Sequence, residues 1–377
     1  EYAGINIITT VNDSVTRYFY GGVPTCPSVE LDEVRLRYVT SILIGFEAAE
    51  SIEKSWEPDI IFGIMNVYTD WAPYHQYFES KGKQVNTISI SAFNYKAVLL
   101  NSNHLYISNQ RYLDWMDINA SKPLTSDQES ELQCFIDNRF KGNSDVFKAF
   151  GYFDNDSEII KFDKSKRNIF LFSNIFWDVG MSECGGLYPD VITWVLSSIE
   201  LLRNYPNCHL YIKPHPAENF DVVSVKGVVD FISERFPKLP SNITIIFPQM
   251  KILTYDLFPH IDVGVVFNGT LGLEMLLSDI PVISCGKTPY GGINLVSEPD
   301  TEESYLNLLL GEEVNVSPSK SQVRQFAYFY FVKTLIPWSF TETAYSDVFS
   351  GFNMQDITGI MPNSNYYLDH ICKAILE

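Results

Sequence analysis

Residues 265–274 read Val265-Val-Phe-Asn-Gly-Thr-Leu-Gly-Leu-Glu274, and this stretch decides the fold class. An apolar, β-branched run is followed by a tight polar turn and a helical pattern, which predicts a strand leading into a helix. Free N–H groups and the helix dipole attract anions at such a helix start, so Asn268, Gly269 and Thr270 are candidate phosphate ligands. Glu274 lies one turn further on the same helix face, where it can accept hydrogen bonds from ribose hydroxyls. The alternative is an Asn or Thr helix cap followed by a solvated glutamate.

A second polar loop, Lys213-Pro-His-Pro-Ala-Glu218, follows another predicted strand. The two prolines restrict the backbone on either side of His215, and α/β sheets bind ligands at the carboxyl ends of their strands. The His215 imidazole is therefore a candidate partner for a phosphate or a nucleotide, and Lys213 adds positive charge. A rigid turn with an exposed histidine is the alternative. Two such loops in one Rossmann-like domain favour a shared nucleotide site.

The third loop, Ser173-Asn-Ile-Phe-Trp-Asp178, follows the first strand of the same predicted domain. In a two-domain enzyme that uses a nucleotide sugar, this strand end faces the cleft between the domains. The Asp178 carboxylate is suited to stabilise a developing oxocarbenium ion or to attack it as a nucleophile. The alternative is an aspartate that caps the next helix beside a core tryptophan, Trp177.

The first part of the chain offers a candidate acceptor site at Thr69-Asp-Trp-Ala-Pro-Tyr-His75, after a predicted strand. Asp70 or His75 is a candidate base in an acceptor pocket, because both side chains can take a proton from a hydroxyl. The same residues are compatible with a capped helix start, which is the alternative interpretation.

Strand-like and helix-like patterns alternate along the chain, which predicts an α/β fold with parallel sheets. A charged stretch with few aliphatic residues, 154–167, marks the predicted domain boundary. We expect one Rossmann-like domain at 1–160, a second at 161–335, and a helical segment at 336–377 that returns to the first. The predicted strands lie at 5–11, 59–65, 85–90, 168–173, 209–213, 243–247, 263–267 and 282–284. The predicted helices lie at 34–54, 72–81, 124–153, 190–204, 225–236, 253–259, 271–278 and 322–335.

Composition argues against several classes of function. The 377 residues include 27 Lys and Arg against 46 Asp and Glu, and the net charge of -19 disfavours binding to nucleic acid or anionic lipid. Six cysteines without a Cys-x-x-Cys pair indicate reduced thiols, not a disulfide framework or a zinc site. No apolar run is long enough to span a bilayer, so we expect a cytoplasmic protein that reaches the inner membrane only through partners.

Several segments of the second domain, taken in order, resemble the bacterial capsular-polysaccharide and lipopolysaccharide biosynthesis glycosyltransferases, a GT-B family that includes the β-Kdo transferases. The segments are Asn174-Ile-Phe-Trp-Asp178, Ile212-Lys-Pro-His-Pro-Ala-Glu218, Leu239-Pro-Ser-Asn-Ile243, Gly269-Thr-Leu-Gly-Leu-Glu274, and Pro281-Val-Ile-Ser-Cys-Gly286 followed by Tyr290-Gly-Gly292. The resemblance implies a GT-B fold, in which two Rossmann-like domains with parallel sheets face a central cleft. It also implies a glycosyltransferase, and we expect no metal to be required because the helix dipole and basic side chains can neutralise the leaving nucleotide.

The resemblance further implies that His215, Thr270 and Glu274 bind the nucleotide of a sugar donor. It makes Asp178 the equivalent of the family's nucleophile in a retaining double displacement. The other residues of the implied donor site are Asn174, Lys213, Glu218, Asn268, Gly269 and Tyr290. The implied donor is Kdo or a related acidic sugar, linked to CMP in preference to UDP, and the implied acceptor is a growing surface polysaccharide or glycolipid. No cofactor is implied.

Two rival interpretations stay open at this point. A nucleotide-sugar 2-epimerase shares the two-domain architecture and a similar turn followed by a glutamate, although its turn usually reads Asp-Ser-Gly-Gly where this chain has Asn268-Gly-Thr-Leu. The other rival is a catalytically idle GT-B domain that binds glycan or nucleotide as a scaffold.

Overall fold

The structure is a computed structural model of the chain, and it contains two β-sheets with helices packed against them. The predicted helical pattern beyond residue 142 lies outside the residues that the structure describes, as does most of the predicted segment 336–377. The described residues are 2, 4–20, 28–63, 67–91, 94–102, 110–119, 122–142, 160–178, 184–218, 226–337 and 361–376.

The bounds of the elements follow the chain order. The strands are β1 (Ile60–Gly63), β2 (Gln84–Ser91), β3 (Asn94–Ser102), β4 (Arg167–Phe172), β5 (Cys208–Lys213), β6 (Ile243–Ile245), β7 (Val263–Val266), β8 (Val282–Ser284) and β9 (Leu335–Pro337). The helices are α1 (Ile8–Tyr18), α2 (Val29–Trp56), α3 (Tyr68–Ser80), α4 (Gln110–Asn119), α5 (Ser126–Phe140), α6 (Val191–Leu202), α7 (Val228–Arg235), α8 (Leu271–Leu276), α9 (Glu302–Leu310), α10 (Lys320–Tyr328) and α11 (Tyr366–Leu376). Short 3₁₀ segments lie at Pro216–Glu218 and Thr254–His260, and a π-helical segment lies at Phe329–Lys333.

The first sheet has the strand order β1-β2-β3-β9 and combines both strand directions. β1 and β2 are parallel and are connected through α3, which is the βαβ unit predicted from the sequence. β3 is antiparallel to β2, and β9 is antiparallel to β3. β2 ends at residue 91 and β3 begins at residue 94, a connection too short for the crossover that a parallel pair needs. The α/β class is confirmed, but this sheet is mixed where a parallel one was predicted.

The predicted strand at residues 5–11 is wrong, because most of this stretch belongs to helix α1. The Asn6 side chain accepts a hydrogen bond from the Ile8 N–H (3.0 Å) at the start of the helix. Val11 and Val15, one turn apart, are buried in a cluster with apolar residues of α2 and α3. Of the β-branched residues that indicate a strand, Thr10 and Val11 lie on the buried face of this helix, whereas Ile8 is exposed. The tertiary contacts of the buried face outweigh the weak local preference for a strand.

The second sheet has the order β6-β5-β4-β7-β8, and all of its neighbouring strands are parallel. Alternate residues of β4 enter different hydrophobic clusters, with Ile169 and Leu171 on one face and Phe170 and Phe172 on the other. All four side chains are buried, as expected for a parallel strand that is covered on both faces. This sheet confirms the predicted parallel α/β arrangement.

We call the part of the chain before the predicted domain boundary at residue 160 the first half, and the part after it the second half. Helices α4 and α5 belong to the first half by sequence but pack against the second half. Leu132 and Ile136 of α5 belong to the same buried cluster as Leu273 of α8 and Phe326 of α10. This packing brings the C-terminal turn of α5 close to the element that follows β7.

After α10 the chain returns to the first sheet. β9 pairs with β3, and Ile371 of α11 is buried beside Ile88 of β2 and Ile336 of β9. The C-terminal part of the chain thus completes the sheet that its N-terminal part begins. Within the described ranges, none of the helices is both long and apolar enough to cross a membrane.

Candidate functional site

The three polar loops predicted from the sequence meet at one edge of the second sheet. β4 lies between β5 and β7, with Phe172 opposite both Lys213 and Val266. The loops that follow these three strands therefore leave neighbouring positions at the carboxyl ends of parallel strands. This is the edge at which open α/β sheets bind ligands.

Side-chain amides hold the turn between β7 and α8. The Asn268 N–H donates to Asn174 Oδ1 (3.1 Å), the Gly269 N–H donates to Asn268 Oδ1, and Asn268 Nδ2 lies 2.7 Å from the Cys184 sulfur. Gly269 has a φ of +96°, which favours glycine, and a Cβ there would meet Asn174 Nδ2 at 3.1 Å. Two amide oxygens thus lie where the sequence predicts phosphate oxygens.

Tyr290 supports this turn from the interior. Its hydroxyl donates to the Gly269 carbonyl oxygen (2.7 Å), and its side chain is buried. The ring packs so closely on Gly272 that a Cβ at that position would lie 2.3 Å from the Tyr290 hydroxyl oxygen. Burial raises the pKa of Tyr290 well above its ordinary value, so the hydroxyl keeps its proton. Tyr290, which the resemblance places in the donor site, here fixes the geometry of the turn.

Glu274 also lies in the interior, where it is 2% exposed. Its Oε1 accepts hydrogen bonds from Arg139 Nε (2.7 Å) and from the Thr270 hydroxyl (3.0 Å). Its Oε2 accepts a hydrogen bond from the Tyr255 hydroxyl (2.7 Å). Both carboxylate oxygens therefore have protein partners, where the sequence predicts ribose hydroxyls.

The half-buried His215 is oriented by its own loop. Its Nδ1 accepts a hydrogen bond from the Ala217 N–H (3.1 Å), so we assign the imidazole proton to Nε2. Burial, and to a smaller extent the charge of Lys213, lowers the pKa of His215 to about 4. The ring is therefore neutral near pH 7 and able to donate one hydrogen bond from Nε2.

Lys213 and Glu218, on either side of His215 in the sequence, are only 6% and 9% exposed. Burial lowers the pKa of Lys213 to about 8 and raises the pKa of Glu218 to about 7. Glu218 Oε2 accepts a hydrogen bond from the Val228 N–H (2.7 Å) at the start of α7. Lys213 thus supplies positive charge from within the protein, and Glu218 connects the loop to α7.

Asp178 is half-exposed and faces the first half of the chain. Its Oδ1 lies 3.8 Å from Arg17 Nη1 of α1, and about half of each side chain is exposed. Asp178 lines a pocket together with Trp177 and with Asp13 and Thr16 of α1. This pocket therefore has walls from both halves.

The sequence pattern does not predict the contribution of α1 to this pocket, because it indicates a strand at 5–11 and no helix over the residues that follow. Arg17 donates from Nη1 to the Tyr68 hydroxyl (3.0 Å), and its guanidinium lies over the Tyr68 ring, 5.0 Å from the centroid. Arg17 thus contacts the first turn of α3 as well as Asp178. The one-turn spacing of Val11 and Val15 is the sequence signal that favours a helix here.

The acceptor-side candidates Asp70 and His75 both lie on α3. Asp70 is exposed on the first turn of the helix. His75 is 3% exposed and packs against β1, where a Cβ on Gly63 would lie 2.7 Å from its Nε2. Burial lowers the pKa of His75 to about 4, so the ring is neutral inside the first half. The structure thus places one candidate on the surface and the other in the interior.

The described cysteines carry free thiols. Cys184, Cys208 and Cys285 are buried, whereas Cys134 and Cys372 are exposed. Burial raises the pKa of Cys208 above its ordinary value, which keeps that thiol protonated. In the part of the chain that the structure describes, no three His, Cys, Asp or Glu side chains are grouped so as to hold a metal ion.

Comparison with known proteins gives matches among solved structures. No protein-family model and no curated protein matches the chain. The chain is similar to KpsC beta Kdo 2,4 transferase from Thermosulfurimonas dismutans, with 14% identity, 71% of this chain and 78% of that chain covered, and a TM-score of 0.49. For KpsC beta Kdo 2,7 transferase from the same organism, the identity is 12%, the coverage is 86% and 88%, and the TM-score is 0.44. Both structures are β-Kdo transferases.

A third similar structure is the UDP-GlcNAc 2-epimerase from Neisseria meningitidis bound to UDP-GlcNAc. Its identity to this chain is 13%, 83% of each chain is covered, and the TM-score is 0.36. The transferases and the epimerases that the sequence motifs indicated thus both recur among the solved structures. Because these identities are low, we base the functional proposal on the geometry of the site.

Proposed function

We propose that the protein is a glycosyltransferase that binds a nucleotide sugar at the carboxyl edge of its second sheet. The observation that carries this proposal is the meeting of Asn174, His215 and the turn 268–270 at the ends of three adjacent parallel strands. Asp178, which lies in the loop that follows β4, faces the first half of the chain. In the proposed site these loops supply donors for a phosphate and a carboxylate for the sugar.

The donor phosphate is bound by groups from two loops. His215 donates to it from Nε2. The phosphate replaces the amide oxygens of Asn174 and Asn268 as the acceptor for the N–H groups of the turn. The buried charge of Lys213 adds positive potential behind His215. Together these groups neutralise the leaving nucleotide, which is the largest electrostatic demand of the reaction.

Asp178 acts on the anomeric carbon of the bound sugar. As a nucleophile, its carboxylate forms a bond to that carbon while the bond to the nucleotide phosphate breaks, and an acceptor hydroxyl then displaces the carboxylate and loses its proton to a base. As an electrostatic stabiliser, it lies beside the oxocarbenium-like transition state while the acceptor attacks directly. The first route retains the anomeric configuration and the second inverts it.

The proposed substrates rest on the motif resemblance. The resemblance favours a CMP-linked donor that carries Kdo or a related acidic sugar, and a growing surface polysaccharide or glycolipid as the acceptor. We place the entry of the acceptor at the pocket between α1 and Asp178, because its walls come from both halves.

A thermal-shift panel of CMP, UDP, GDP and CDP tests the donor site, because a ligand that binds only the folded state raises the melting temperature. We expect one of the four nucleotides to raise it clearly, and CMP to be that nucleotide. A protein whose melting temperature none of the four changes would contradict the proposed donor site.

Product analysis separates transfer from the rival reactions. We expect the donor sugar to appear on an oligosaccharide acceptor, and no new nucleotide sugar to form when the acceptor is left out. An epimerised nucleotide sugar without acceptor would identify an epimerase. Nucleotide binding with neither hydrolysis nor transfer would identify an idle domain.

A further inference from the structure

A buried ion pair connects helix α5 to the turn that we propose to bind the donor phosphate. Arg139 Nε lies 2.7 Å from Glu274 Oε1, and the two side chains are 11% and 2% exposed. Arg139 lies in the last turn of α5, whereas Glu274 lies in α8, directly after the turn. The pair therefore links an element that precedes the second sheet to the phosphate edge of that sheet.

The other contacts of Glu274 keep its carboxylate in the interior. The Tyr255 hydroxyl donates to Oε2 (2.7 Å), and the ring of Tyr255 stacks on Phe140, with 4.5 Å between the centroids. Phe140 is the neighbour of Arg139, so α5 supports the carboxylate through both residues. A ribose hydroxyl that reached Glu274 would have to displace one of these buried donors, and the exchange would gain no hydrogen bond.

Thr270 transmits the position of the ion pair to the ligand side of the turn. Its hydroxyl donates to Glu274 Oε1 (3.0 Å), and its carbonyl oxygen accepts the Glu274 N–H (3.1 Å). A hydroxyl has a single proton, so the Thr270 oxygen presents only lone pairs to other groups in this orientation. The direction of Thr270, which ends the turn, therefore depends on where Glu274 is held.

We propose that Arg139 and Glu274 are positioning residues for nucleotide binding, which set the shape of the phosphate-binding turn through Thr270 while Glu274 makes no contact with ribose. The inference rests on the proposed function and changes the role that the motif resemblance gives to Glu274. Removal of either partner leaves the other charge buried and uncompensated, so that charge moves towards water and the turn loses its shape.

The test compares nucleotides with and without ribose hydroxyls. Calorimetry gives the dissociation constants of CMP, UDP, GDP and CDP and of their 2′,3′-dideoxy counterparts. Each nucleotide is measured with the wild-type protein, with Arg139→Met, with Glu274→Gln and with the double variant. Circular dichroism selects a temperature at which every variant is folded. We expect each single variant to weaken binding about tenfold, by the same factor for both kinds of nucleotide. The double variant should be no weaker than the singles, because both act through one contact.

Two further comparisons separate positioning from general loosening of α5. Arg139→Lys keeps the charge and should retain most of the affinity. The matched control breaks another ion pair of the same helix, between Glu129 of α5 and Arg324 of α10 (2.6 Å). Arg324→Met should change nucleotide affinity less than about twofold, because this pair lies outside the turn.

Several outcomes would overturn the inference. A loss in Glu274→Gln that is confined to nucleotides with ribose hydroxyls would show a direct ribose contact. An equal loss of nucleotide affinity in Arg324→Met would show that general loosening of α5, and not the position of Glu274, weakens binding. If Glu274→Gln does not fold, Thr270→Val should lose affinity that Thr270→Ser retains, and equal affinities of these two variants would contradict the inference. Wild-type protein that binds none of the nucleotides contradicts the proposed function itself, whereas normal binding by all variants contradicts only the positioning role.

Discussion

The two halves of the chain supply their parts of the site in different ways. In the second sheet neighbouring strands are parallel, so the loops after β4, β5 and β7, which carry Asn174, His215 and Asn268, lie at one edge. In the first sheet β3 runs antiparallel to its neighbours β2 and β9, so its carboxyl end lies at the edge opposite to theirs. The first half reaches the pocket through α1, whose Arg17 lies beside Asp178. Loops after parallel strands thus form one wall of the site, and the packed helix α1 forms the other.

The largest effect is expected where the two halves meet. Asp178→Asn removes the carboxylate that we propose to act on the anomeric carbon, so the rate of sugar transfer should fall by about 10³-fold or more. Nucleotide affinity should stay unchanged, because the phosphate is bound by the other loops. Transfer assays and calorimetry measure the two quantities separately. If Asp178→Asn transferred sugar at the wild-type rate, Asp178 would have no part in the mechanism.

The second effect tests whether the carboxyl edge of the second sheet is the ligand-binding edge. His215→Gln should weaken nucleotide binding about tenfold or more, since a hydrogen bond to a charged group contributes roughly 1.5–3 kcal/mol. The matched control is His260→Gln, because His260 precedes β7 at the opposite edge and stacks on Phe162. Calorimetry gives both affinities. Equal losses of nucleotide affinity in His215→Gln and His260→Gln would contradict a nucleotide-binding site at the carboxyl edge.

A smaller effect is expected from the first half. Arg17→Met removes a cation 3.8 Å from Asp178, and because both side chains are about half exposed, water and salt screen the interaction. We expect transfer to slow about threefold at low salt and less at high salt. Arg203→Met is the control, since Arg203 forms a similarly exposed pair with Glu200 at the end of α6, which precedes β5 and so lies at the opposite edge of the second sheet. If the rate of transfer fell by more than about 100-fold at every salt concentration, Arg17 would have to bind substrate directly.

The smallest effect concerns stability within the second half. Burial raises the pKa of Glu218 from 4.5 to about 7, so the folded protein binds this proton more tightly than the unfolded chain. The stabilising contribution is complete below pH 4.5 and is lost as the pH rises to about 7. Glu218→Gln keeps an acceptor for the Val228 N–H but does not titrate. The melting temperature of the wild type, relative to this variant, should therefore fall by a few degrees between pH 4.5 and 7.

Two buried histidines also make the stability depend on pH, and they are present in both the wild type and Glu218→Gln. Burial lowers the pKa of His75 in the first half and of His215 in the second to about 4. Their contribution to stability has the opposite sign, because it grows as the pH rises from about 4 to 6.5. It cancels in the difference between wild type and Glu218→Gln. A difference in melting temperature that does not change with pH would show that Glu218 is not buried as described.

Much of the second half was predictable from sequence. Apolar, β-branched runs that end in polar turns predicted β4, β5 and β7, and their alternation with helical patterns predicted a parallel sheet. The loops at Asn174, His215 and Asn268 then had to share an edge, because parallel strands end on the same side. Gly269 was a local signal as well, since its positive φ suits a residue without a Cβ.

Other predictions failed where distant contacts outweigh local preference. The β-branched residues at 5–11 indicate a strand, but Val11 and Val15 are buried against two other helices and the segment is helical. The first sheet is mixed because β3 is antiparallel to β2, and no strand is predicted at 94–102. The fourth strand, β9, joins this sheet by pairing with β3, from which it is far apart in the sequence. No local pattern carries that information.

Local sequence patterns are enough to predict the parallel sheet, the three loops at its carboxyl edge, and the helical spacing that puts Thr270 and Glu274 on one face. Those features depend on periodicity and turn chemistry within a few residues. The direction in which that face points depends on contacts between distant parts of the chain. Glu274 meets Arg139, 135 residues earlier in the chain, and so lies in the interior, while Asp178 meets Arg17 at the border with the first half. A charged side chain is placed by the partner that neutralises it, and that partner is known only after the chain has folded.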